Sequence, residues 1–312
     1  MNDVRQGTEL PPFPELVLLD ADYTCTKPTA RGEINYVLAF TNTLQEALGE
    51  LDPSVFSSRW HLCEGRVHRE VGKHGFIFDI NVGIVASAES DIMMGTHAIG
   101  WALVREFYPT VDHQTYRQMA YRAYKAAYPA LGMTVVPELR LLLRGLAELH
   151  VPAMVVTNSS AEAVRANLAA GLGDEFPEFL AQIEGNASKF EISPEGWKVV
   201  EDGVEVPIPS VTRFSTLAYP VQTRRSAYYE AIKRCRARAG RDGRLVPRDR
   251  VLVVGDNPQL DLVLAAELGM QVALVESDRT SPWDRAWIRR IDHAGWRTPI
   301  QTLDQILRFL RH

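Results

Sequence analysis

The stretch 15-ELVLLDADYT-24 sets a short apolar run against two aspartates, Asp20 and Asp22, two residues apart. The run follows the proline-rich 11-PPFP-14 and is too short for a helix, so it predicts a strand buried on both faces. Two later runs end in the same way. One is 151-VPAMVV-156, which leads into 157-TNSS-160, and the other is 250-RVLVVGD-256, which leads into 255-GDNPQLD-261. A fourth apolar run, 271-QVALVE-276, follows. Helical patterns lie between them at 138–149, 160–171, 226–238 and 258–268. Apolar strands alternating with helices imply βαβ units and a doubly wound parallel sheet covered on both faces.

Two regions interrupt that alternation. Residues 28–137 predict a mainly helical unit, with helices at 33–49, 92–107 and 112–128, and strand-like composition over 66–87. Residues 174–222 form a smaller insertion with a hairpin expected at 198–206 around Asp202-Gly203. The chain therefore divides into an α/β core, 1–27 with 138–312, and an inserted helical unit at 28–137.

Composition sets outer bounds. Hydrophobic residues make up 46% and charged residues 23% of 312, which excludes a collagen, a disordered tail and a disulfide miniprotein. No window approaches 18 consecutive apolar residues, so no membrane partner is expected. The start, MNDVRQGTELPPFPE, has no apolar segment behind a basic one, so no secretory signal is expected. Three widely spaced cysteines suit a reducing cytoplasm. A net charge of −5 gives no general reason to expect nucleic acid.

The three strand ends carry the chemistry, because ligands of open α/β sheets bind at the carboxyl ends of the strands. Asp20, Asp22, Asp256 and Asp261 would repel one another there unless a cation sat among them. Oxygen donors at an open position favour Mg²⁺. Any one of these aspartates could simply cap the next helix. The ordered set of DxDxT, a strand-end Thr157 and GDxxxxD is far more specific.

That ordered set resembles the haloacid dehalogenase (HAD) superfamily, over about 15–25 and 138–312. The resemblance implies a Rossmann-like core, with the two insertions as cap modules. By position, Asp20 would be the nucleophile that forms an aspartyl-phosphate, and Asp22 the general acid and then base. Thr157, with Asn158 beside it, would bind the transferring phosphoryl group. Asp256 and Asp261 would hold Mg²⁺ together with Asp20 and the backbone carbonyl of Asp22. Dehalogenase members lack a carboxylate at the position of Asp22, since a departing halide needs no proton, so Asp22 argues for phosphate chemistry. Two departures stand out. Tyr23 replaces the usual glycine of the first motif, and no Lys-Pro opens the helix before the last. The basic residue expected there falls to Arg225 by position, with Lys189 and Arg224 as alternatives.

Other stretches carry weaker signals. His61, Cys63, His68 and His74 lack the paired spacing of a zinc site. Residues 224–250 hold ten Lys or Arg against three acids, but no aromatic stacking platform is interleaved, so a solvated face is the simpler reading. The aromatics of the helical unit, among them Trp60, Phe76, Phe78, Trp101, Phe107, Tyr116, Tyr121 and Tyr124, divide between core and substrate crevice. The expectation is a Mg²⁺-dependent phosphatase of a small phosphorylated metabolite, with an oligomer allowed. Three readings compete with it: a non-catalytic binding or regulatory protein, a phosphotransferase, and a nucleic-acid end phosphatase.

Overall fold

A computed structural model describes residues 12–201, 203–215, 217–291 and 299–310. The reading of the first eleven residues and the place of Asp202 in its turn lie outside these. Five parallel strands form the central sheet, in the spatial order Gln271–Leu274, Val251–Gly255, Leu16–Leu19, Ala153–Val156, Ile183–Glu184. The strands read as continuous apolar runs because both faces are covered. Leu16 and Leu18 belong to one core with Val251, Val253 and residues of the helix Ser226–Ala239. Val17 and Leu19 share a second core with Leu252 and Val254, beside the helices Glu138–Glu148 and Ala161–Leu172.

The chain leaves the sheet after Leu19 and re-enters it through a two-stranded clasp, in which Thr26–Lys27 pairs antiparallel with Thr134–Val135. Between the two arms lie four helices, Gly32–Leu48, Pro53–Arg69, Ile92–Phe107 and His113–Ala127, around a core that includes Tyr36, Phe40, Trp60, Cys63 and Leu103. Asp52, Asp91 and Asp112 cap the last three by accepting from backbone N–H groups of their first turns. Residues 66–69, expected in a strand-like stretch, end the helix Pro53–Arg69 instead. Only Gly75–Ile77 and Ile84–Ser87 pair as strands there. Phe56, Trp60, Cys63 and Val67 are buried along one face of that helix, and this packing sets its length.

In the second insertion Val199–Glu201 pairs with Val204–Val206, and Val211–Thr212 with Val221–Gln222. The segment expected as one helix from 258 begins with a π-helical turn, Pro258–Leu262, and continues as Val263–Glu267. Among the described residues no helix is long and apolar enough to cross a membrane.

Candidate active site at the carboxyl ends of the strands

The strands Leu16–Leu19, Ala153–Val156 and Val251–Gly255 lie side by side, so the residues that follow them meet at one edge of the sheet. Asp20, Asp22, Thr157, Asn158, Asp256 and Asp261 all line one cavity of about 400 Å³. Carboxylate oxygens of Asp20, Asp256 and Asp261 lie within 4.8 Å of one another. Gly255 permits this approach, because a Cβ there would stand 2.5 Å from Asp261 Oδ2. The π-helical turn carries Asp261, whose Oδ2 accepts from Asn257 N at 3.1 Å. Thr24 donates to Asp256 Oδ1 at 3.3 Å.

Lys189 is 1% exposed and reaches the cluster from the loop after Ile183–Glu184. Its Nζ donates to Asp20 Oδ1 at 2.5 Å and to Asp261 Oδ1 at 2.8 Å. Left-handed backbone at Asn186 and Ser188 turns the loop inward, and Lys189 N donates to Asn158 Oδ1 at 2.7 Å. Burial alone would lower the Lys189 pKa, but the Asp20 and Asp261 carboxylates outweigh it and hold the ammonium charged. Burial raises Asp20 against the pull of Lys189, and raises Asp256 further with the charges of Asp261 and Asp20.

Asp22 is held apart from this cluster. Its Oδ1 accepts from the Tyr128 hydroxyl at 2.8 Å and its Oδ2 from the Ser159 hydroxyl at 2.9 Å. Burial raises its pKa while these two hydrogen bonds lower it. Tyr23 has φ of 62°, in the left-handed region, and its hydroxyl donates to Glu33 at the start of the first helix. Its side chain also lines the cavity.

Arg225, expected on the phosphate, lies elsewhere. It is fully buried, is not among the cavity-lining residues, and donates to the carbonyls of Gln222, Lys189 and Leu260. Its guanidinium therefore supports the loops that carry Lys189 and Asp261. Arg224 Nη2 lies 3.4 Å from Gln222 Oε1, also outside the cavity lining. The sequence does not single out Tyr128, Ser159 or Asp91. Ser159 lies within the strand-end motif, whereas Tyr128 is 106 positions from its partner and carries no local signal. Cys63 is buried in the helical core, and among the described residues the metal-ligand cluster is that of Asp20, Asp256 and Asp261.

Three carboxylates facing one ammonium form an all-oxygen donor set with negative charge left over. That set fits a hard divalent cation.

Residues 225–295 match a family model described as HAD-hydrolase-like. Among solved structures, a 2-haloacid dehalogenase from Pseudomonas syringae pv. Tomato is 17% identical, with 96% of this chain and 99% of that one covered and a TM-score of 0.45. A haloacid dehalogenase-like protein of unknown function from Agrobacterium tumefaciens is 16% identical, over 96% and 98%, with a TM-score of 0.47. A predicted phosphoglycolate phosphatase from Haemophilus somnus is 13% identical, over 95% and 97%, with a TM-score of 0.48. Among curated proteins none matches in sequence.

Proposed function

We propose that the chain is an HAD-like hydrolase, and that it acts as a Mg²⁺-dependent phosphatase that cleaves a phosphate monoester of a small metabolite. The observation that carries this reading is the pairing of the Asp20–Asp256–Asp261 cluster with a separately held Asp22. A nucleophile and a proton donor need different environments, and the two carboxylates have them.

Asp20, Asp256 and Asp261 would hold the cation, with the backbone carbonyl of Asp22. A bound cation would neutralise phosphate charge, which otherwise repels a carboxylate nucleophile. Asp20 attacks phosphorus while the bond to the leaving oxygen breaks, and Asp22 gives that oxygen its proton. The alcohol departs. Asp22, now a carboxylate, takes a proton from water, and the resulting hydroxide attacks phosphorus to release Asp20 and inorganic phosphate. Thr157 and Asn158 bind the phosphoryl oxygens, and Lys189 orients Asp20. The inserted helical unit acts as a cap that roofs the cavity and excludes water. Three buried, unpaired cysteines suit a reducing cytoplasm.

The test is turnover of an aryl phosphate by wild type and Asp20→Asn, with Mg²⁺ and with EDTA. Mg²⁺-dependent release of phosphate that disappears in the variant is the expected result. Failure on this ester and on a broad panel of metabolite phosphates would overturn the reading.

A further inference from the structure

Part of the cavity lining is aromatic. Phe190 follows Lys189 directly, so one loop sends a cation to Asp20 and a ring into the cavity. The Phe190 ring lies 5.6 Å from Phe76 and 5.5 Å from Phe78, both from the segment that begins with strand Gly75–Ile77. The guanidinium of Arg117 sits 4.0 Å from the centroid of Phe78. Arg117 also lines the cavity, on the helix His113–Ala127.

Arg117 differs from the aspartates of the lining in its partners. Among the described residues Arg117 has no carboxylate within ion-pair distance, whereas Asp22 is held by two hydroxyls and Asp20 and Asp261 by Lys189. Asp91 caps its own helix through Met94 N at 2.7 Å. His97, the other basic group in the lining, is pushed down to about 4 by burial and then by Arg117, so it is neutral near pH 7. An arginine stacked on a ring keeps its planar donors oriented, ready for a carboxylate.

We propose, resting on the phosphatase reading, that the leaving group is a flat aromatic ring bearing a second anionic group. The ring lies against Phe76, Phe78 and Phe190, and the anion pairs with Arg117. A volume of about 400 Å³ suits one ring with a charged group at each end.

The test compares kcat/KM for 4-carboxybenzyl phosphate and benzyl phosphate, whose reacting ends match. The carboxylated ester is expected to be preferred by about tenfold, as a charge-assisted pair implies. In Arg117→Gln the ratio falls to about one, mainly through KM for the carboxylated ester. Equal turnover of the two esters, or a preference that Arg117→Gln leaves intact, would overturn the assignment and leave the phosphatase reading standing. Calorimetry with 4-(hydroxymethyl)benzoate and benzyl alcohol needs no turnover. If neither ester reacts but the benzoate still binds more tightly, the cavity assignment stands and the broad panel of metabolite phosphates decides the phosphatase reading. With no preference in either measurement the cavity assignment falls, whether or not the esters turn over.

Discussion

The Tyr128 hydroxyl donates to Asp22 Oδ1 at 2.8 Å, joining a residue just beyond the fourth helix of the insertion to a carboxylate at the end of the first strand. The hydrogen bond stabilises the Asp22 carboxylate and so lowers its pKa. Tyr128→Phe removes it, and Asp22 then stays protonated to higher pH. The pH–rate profile should shift to higher pH, with kcat reduced by about tenfold at neutral pH. An unmoved profile would leave Tyr128 a packing role only.

Asp22→Asn removes the proton donor but keeps the shape. The loss should depend on the leaving group, reaching about 10²–10⁴-fold for an alkyl phosphate. It should be much smaller for 4-nitrophenyl phosphate, whose leaving group departs without a proton. Equal losses on both esters, measured as kcat, would argue against proton donation.

Lys189→Met leaves Asp20 and Asp261 buried without their ammonium. Removing one partner of a buried ion pair costs about 3–5 kcal/mol. The urea midpoint should fall accordingly, and added Mg²⁺ should restore part of it. A midpoint unchanged from wild type would show that the carboxylates find compensation elsewhere.

Asp91 titrates at about 6 in the folded chain, raised from 3.8 chiefly by burial. Between those values the folded chain holds a proton that the unfolded chain has released, so stability rises as pH falls from 7 towards 4. The gain relative to Asp91→Asn, which keeps a capping side chain, should reach about 2 kcal/mol at pH 4. Urea melts of both proteins across that range measure the difference, and parallel curves would contradict it.

The sheet is legible because Leu16–Leu19 and Val251–Gly255 carry no polar side chain, a pattern that burial on both faces requires. The four aspartates are legible for the same reason, since each follows a recognisable strand. Arg225 is misplaced by sequence because its position at a helix start says nothing about the left-handed turns at Asn186 and Ser188, which bring Lys189 in instead. The helix Pro53–Arg69 escapes sequence reading although Asp52-Pro53 marks its start, because its exposed faces are strongly polar and mask the buried stripe. Tyr128 illustrates a further limit: a contact across 106 positions leaves no local pattern to read.

The clasp of Thr26–Lys27 with Thr134–Val135 has an evolutionary consequence. Lys27 and Thr134 are register partners, so the insertion departs and returns at neighbouring points. A short turn could bridge them without disturbing the sheet, which makes the intervening segment an exchangeable cassette. Descent can then replace the segment that supplies Phe76, Phe78 and Arg117 while the aspartates stay fixed, and recombination at these two points alone would carry a new selectivity onto old chemistry.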